Sequence, residues 1–103
     1  MAKYIASLTV IPIGTKSTSL SRYVALVIKA LKENRINHEL TPMSTVIYSD
    51  NLDEVLRAIK ISHNALRNEG LDRIVIEVNI DARHDKIRES PSDKVKAVLE
   101  RIS

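Results

Sequence analysis

An α+β fold is predicted: an antiparallel sheet built from the chain order β-α-β-β-α-β, two helices on one face, and an extra helix at the C-terminus. Three observations predict it. Two runs rich in β-branched residues, YIASLTVIPI (4–13) and DRIVIEVNID (72–81), have strand-like length and composition. Two stretches between them place apolar residues at helical spacing. Between those helical stretches lie two short strand-like runs separated by Pro42-Met43-Ser44, the pattern of a tight hairpin.

The first strand stops at Gly14-Thr15. Leu20, Tyr23, Val24, Val27, Ile28 and Leu31 then recur at i, i+3, i+4, i+7, i+8 and i+11, which is one face of a helix. Asn34 and Arg35 close it. HELTP (38–42) and TVIYS (45–49) are the hairpin strands, and Pro42 suits an edge position. Asn51 through Glu54 has capping-box spacing with Asn in place of Ser or Thr, and Asp53 and Glu54 favour a helix start. Leu52, Val55, Leu56, Ile59, His63 and Leu66 form the second helical stripe, with Gly70 as its stop. In the last strand Ile74, Ile76, Val78 and Ile80 alternate with Arg73, Val75, Glu77 and Asn79, giving one core face and one mostly polar face. A charged loop, ARHDKIRE (82–89), follows. Ser90-Pro91-Ser92-Asp93 is a helix start with proline at the first helical position. Val95, Val98, Leu99 and Ile102 mark a short final helix.

This order is the split βαβ, or ferredoxin-like, pattern, in a single domain spanning 1–103. It puts the first and third strands at the centre, read here as parallel to each other, and the second and fourth at the edges. The face away from the helices is open and carries Ser7, Thr9, Glu39, Thr41, Glu77 and Asn79 in one register. Self-association usually covers such a face or edge. On this reading Gly14-Thr15 and Ser49-Asp50 share one end of the sheet with both helix starts. The Pro42-Met43-Ser44 hairpin and Asp81-Ala82-Arg83 share the other.

Composition excludes several classes. Hydrophobic residues make up 44% and charged residues 28% of the chain, which is ordinary for a globular domain. The absence of cysteine excludes disulfides, thiolate metal sites and cysteine nucleophiles. No apolar run approaches the roughly 18 residues of a membrane span, so no membrane association and a cytoplasmic location are expected. The net charge is +3. Lys16, Arg22, Lys29, Lys32 and Arg35 face a single acid, Glu33, between Gly14 and Arg35. With three tyrosines as the only aromatics there is no stacking platform for nucleic acid, and the cations read as a solvated helix face.

The candidate chemistry lies in two clusters. Thr15, Ser17, Thr18, Ser19 and Ser21, with Lys16 and Arg22, crowd a helix start. Such a start offers unpaired N–H groups and partial positive charge. One hydroxyl, Ser19, suffices for capping, so the surplus points to a ligand. The spacing is not that of a P-loop. Asp81, Arg83, Asp85 and Lys86 alternate in sign, as solvated ion-pair loops do, while Arg83 also suits a carboxylate or phosphate. His63 reads as a half-buried helix residue, and His38 and His84 are not at metal-ligand spacing with it. No nucleophile–base pair or serine elbow is present, so a non-enzymatic role is expected.

Four motifs in order, Pro12-Ile13-Gly14-Thr15, Ser19-Leu20-Ser21-Arg22-Tyr23-Val24-Ala25, Leu40-Thr41-Pro42-Met43-Ser44-Thr45 and Ile80-Asp81-Ala82-Arg83-His84-Asp85-Lys86, resemble the small thiamine-binding protein family of ferredoxin-like fold. The similarity spans nearly the whole chain. It implies a non-enzymatic domain that assembles as a dimer or tetramer and binds thiamine or its hydroxymethylpyrimidine part, with no cofactor. The chain departs from the family pattern at Ser44, where glycine is usual, at Tyr48-Ser49, and at His38. The candidate ligand contacts are Thr15, Ser19, Ser21, Met43, Ser44 and Thr45, with Asp81 and Arg83. Hydroxyls would read the pyrimidine nitrogens and Met43 would offer a soft apolar surface. The alternative is a regulatory oligomerisation module that senses phosphate or sulfate at the helix starts.

Overall fold

The computed structural model describes residues 2–86 and 88–102, so Ile87 of the expected charged loop lies outside them. The elements follow the expected order: β1 (Tyr4–Pro12), α1 (Ser21–Glu33), β2 (His38–Leu40), β3 (Thr45–Ser49), α2 (Leu52–Arg67), β4 (Ile74–Ala82) and α3 (Pro91–Ile102). The strands form one sheet in the order β2-β3-β1-β4, the α+β, ferredoxin-like arrangement.

One expectation fails. β1 and β3 are neighbours but run antiparallel, with Leu8 opposite Thr45 and Tyr4 opposite Ser49. The reason is a count of reversals. The α1 crossover returns β2 in the same sense as β1, and the hairpin then turns β3 back. The α2 crossover keeps β4 in the sense of β3, so β4 also pairs antiparallel with β1, Pro12 facing Ile74 and Tyr4 facing Ala82. The ends of the sheet are therefore regrouped. The turn after β1 sits beside the β2–β3 hairpin. Ser49-Asp50 sits with Asp81 and Arg83 at the other end.

The core lies between the sheet and two helices. Ala6, Leu8 and Ile47 from the sheet, Val27 and Leu31 from α1, and Val55, Ala58 and Leu66 from α2 are all buried. Strand alternation sends Ile5, Ser7, Thr9 and Ile11 of β1 to the opposite, outer face. Cross-strand pairing adds Val46, Tyr48, Val75, Glu77, Asn79 and Asp81 to that face.

Local chemistry explains the helix ends. Asn51 caps α2, its side chain accepting the Asp53 N–H at 2.9 Å. The reciprocal half of the capping box does not form. Ser49 Oγ accepts the Asn51 N–H instead, and Glu54 pairs with Arg57. On α2 the buried face includes Ser62, whose Oγ donates to the Ala58 carbonyl at 2.8 Å. His63 is exposed rather than on the core stripe, because Ser62 takes the inward position. The serine satisfies its hydroxyl on its own helix and so can occupy a core position, while the His63 ring meets Asn64 Oδ1 at 3.0 Å on the exposed side.

α1 ends in a Schellman motif. Ile36 N–H donates to the Leu31 carbonyl and Arg35 N–H to the Lys32 carbonyl, while Ile36 and Leu31 are both buried. Arg35 holds the left-handed position at φ 57°, where glycine is normally favoured. Arg35→Gly should therefore stabilise the fold by about 0.5–1 kcal/mol, read as an increased urea midpoint with unchanged slope. A lower midpoint would show that the Arg35 side chain contributes more than its backbone strain costs.

Candidate ligand pocket

A pocket of about 220 Å³ opens between the first half of α1 and the β2–β3 hairpin. Its floor is β1 (Leu8 and Val10), one wall is Tyr23, Val24 and Val27, and the other runs from Leu40 to Thr45. The sequence dictates this gap. β2 has only three residues, so the hairpin projects past the end of α1 without a long strand to close against it. No charged side chain lines the pocket.

Its polar groups are few. Thr41 is committed to the hairpin: its N–H and its hydroxyl both donate to the Ser44 carbonyl, at 2.9 and 2.8 Å, and its Oγ1 accepts the Ser44 N–H at 3.1 Å. Thr45 is buried, yet among the described residues its hydroxyl has no hydrogen-bond partner. No fully buried side-chain polar atom among the described residues is left unsatisfied, so this hydroxyl is open to the cavity that Thr45 lines, and Thr45 is the natural polar contact for a guest. Tyr23 adds an aromatic wall, with the Arg22 guanidinium 5.4 Å from its ring centre.

The eight sequence candidates separate into three groups. Met43, Ser44 and Thr45 line the pocket, although Met43 is 85% exposed and stands at its mouth. Thr15, Ser19 and Ser21 are at the same end but outside the lining; the residue that enters is Leu20. The hydroxyls of this turn engage their own segment: Thr15 Oγ1 donates to the Ser17 carbonyl, Ser17 Oγ accepts the Ser19 N–H, and Ser19 and Ser21 share a bond at 3.1 Å. No side chain caps α1, whose N-cap is Leu20, so capping by Ser19 does not occur. Asp81 and Arg83 belong to a separate open groove at the far end of the sheet, beside α3.

That groove is organised by a residue that no sequence pattern singles out. Arg88 is 5% exposed. Its Nε and Nη2 donate to the Ala2 and Lys3 carbonyls at 3.0 and 2.9 Å, and its Nη1 meets Asp81 Oδ2 at 2.7 Å. Lys94 reaches the same oxygen at 2.9 Å. Lys94 first, then Arg88, hold the Asp81 carboxyl below the usual carboxylate range. Arg83 is paired with Asp85 at 2.8 Å.

A depressed folded-state pKa stabilises above the unfolded value and is lost as pH falls through the folded one. Wild type should therefore exceed Asp81→Asn in stability most at neutral pH. The gap should begin to close below pH of about 4. Urea titrations at a series of pH values would check this, and a pH-independent gap would remove Asp81 ionisation as the cause.

Among the described residues no helix is long and apolar enough to cross a membrane. The profile of a family described as thiamine-binding protein matches residues 6–99. The UPF0045 protein of Methanothermobacter thermautotrophicus is 44% identical over 97 residues, covering 94% of this chain and 97% of that protein. The crystal structure of a hypothetical protein from Methanocaldococcus jannaschii superposes with a TM-score of 0.81 at 36% identity, covering 94% of this chain and 96% of that one. A Thermotoga maritima protein provisionally assigned to thiamine biosynthesis or salvage shares the fold, with a TM-score of 0.73 at 19% identity over 92% of this chain and 97% of that one. The profile match over most of the chain and the relative at 44% identity place this protein in the thiamine-binding protein family.

Proposed function

We propose that this protein is a non-enzymatic, cytoplasmic, homo-oligomeric binding protein for thiamine or its hydroxymethylpyrimidine part. The observation that carries the reading is the uncharged pocket of about 220 Å³ with the unpartnered Thr45 hydroxyl. That volume is below the roughly 300–1,000 Å³ of sites for larger ligands. It suits one substituted ring. Thiamine is a cation, and its charge sits on the thiazolium. An uncharged slot favours the neutral aminopyrimidine, which leaves the thiazolium, and any phosphate, toward the mouth. A hydroxyl both donates and accepts, which matches a ring that presents an amino group beside ring nitrogens. Family membership supports the same ligand class.

A second reading, an anion-sensing oligomerisation module, draws on one observation: α1 begins without a side-chain cap, which leaves backbone donors open. Calorimetric titration with thiamine, thiamine phosphate, hydroxymethylpyrimidine and inorganic phosphate separates the two. Binding of the unphosphorylated pyrimidine compounds at micromolar or tighter affinity is expected. Binding of phosphate alone, or of the phosphate ester alone, would shift the site to the turn before α1 and favour the second reading.

A further inference from the structure

The groove at the far end of the sheet is the chemical opposite of the pocket. It is open, holds about 510 Å³, and lies between the end of β4 and α3. Eight of its nine lining residues are ionisable; the ninth is Ala97. Arg83, Lys86, Arg88, Lys94 and Lys96 supply positive charge. Asp81, Asp93 and Glu100 oppose them, and these acids are already engaged. Asp81 Oδ2 is held by Arg88 and Lys94, Asp93 Oδ2 accepts the Glu89 N–H at 2.7 Å, and Glu100 is not free either. Lys86 and Lys96 are exposed and have no partner among the described residues.

Two features of Arg88 separate this groove from a solvated run of charges. Arg88 and Lys94 meet the same oxygen of one carboxylate, so a single negative charge answers two positive ones. Arg88 is 5% exposed, and a cation taken that far out of water needs full compensation. A guanidinium also carries five N–H groups. Three are used here, by the Ala2 and Lys3 carbonyls and by Asp81. One N–H on each of Nη1 and Nη2 remains, at the base of the groove.

We propose that this groove is a second ligand site, for a small dianionic oxyanion: a dicarboxylate or a phosphate group. Five cations against three acids is the imbalance that two negative charges neutralise. The spare Nη1 and Nη2 donors give an oxyanion the two-point contact that a guanidinium makes with carboxylate or phosphate. Lys86 from the loop and Lys96 from α3 answer the remaining charge. The site stands apart from the pyrimidine reading, since the groove and the pocket share no lining residue.

The test is a titration of the isotope-labelled full chain with succinate and, separately, with inorganic phosphate, followed by backbone amide chemical shifts. Sodium chloride at equal ionic strength is the control. Saturable shifts are expected in residues 81–86 and 93–100, and the anion that binds more tightly names the source. Lys86→Gln/Lys96→Gln removes two exposed cations and leaves every contact of Arg88 in place. It should weaken binding about tenfold with an unchanged melting temperature. Phosphate also tests the anion-sensing reading, and the location of the response separates the two: shifts confined to residues 15–23 would give the anion to the turn before α1 and overturn the groove. Shifts that sodium chloride reproduces, no saturable response to either anion, or an affinity unchanged in the double variant would overturn it as well.

Discussion

Arg88→Ala is expected to cost about 3 kcal/mol of unfolding free energy. Three contacts are lost together: two to the Ala2 and Lys3 carbonyls just before β1 and one to a carboxylate. Hydrogen bonds to a charged group contribute about 1.5–3 kcal/mol each, and the three are not additive because they share one side chain. For a domain of this size a loss of 3 kcal/mol lowers Tm by roughly 12–24 °C. Arg88→Lys should recover less than half of it, since an ammonium cannot reproduce the guanidinium fork. Urea unfolding of the three proteins decides the matter. A loss under about 1 kcal/mol would place Arg88 with ordinary surface pairs, despite its 5% exposure.

The second large effect concerns the pocket. Val24→Phe puts a ring where the ligand ring would lie, against Leu8 and the hairpin wall. It should abolish measurable thiamine binding. Thr45→Val keeps shape and removes the hydroxyl, and should weaken binding about tenfold, or about 1.4 kcal/mol. Ser21→Ala, outside the lining, is the comparison and should change affinity less than about twofold. Melting curves should stay within about 1 kcal/mol of wild type for Thr45→Val, because its hydroxyl has no protein partner to lose. Unchanged affinity in both pocket variants would remove this pocket as the site. A loss confined to Ser21→Ala would move it to the hydroxyl turn.

These residues also show where sequence reasoning reaches its limit. The strands and helices were legible because their periodicity is local: alternation in β4, the i, i+3, i+4 stripe of α1, the Asn51 cap. The direction of β3 relative to β1 is not written in any periodicity; it follows only from counting the reversals between elements. A parallel β1 and β3 would put the hairpin and the hydroxyl turn at opposite ends of the sheet, whereas the antiparallel pair puts them at the same end. Tyr23, Val24 and Val27 read as core, since an apolar stripe looks the same whether it meets a sheet or a gap. Arg88 sat in a run of alternating charges that resembles solvated surface. Its burial depends on carbonyls at Ala2 and Lys3, 86 and 85 positions away, and backbone carbonyls leave no mark in a sequence.

The pocket's three walls come from segments that meet only in the folded chain: strand residues 8–11, helix residues 20–27 and hairpin residues 40–45. A guest held there touches all three at once, and the unfolded chain has nothing equivalent to offer it. Occupancy therefore acts as a non-covalent staple. At a free concentration one hundred times Kd it adds about 2.7 kcal/mol to unfolding. Backbone amides of β3 and α1 should then exchange with deuterium more slowly, and a filled pocket should lengthen the time the chain survives a protease.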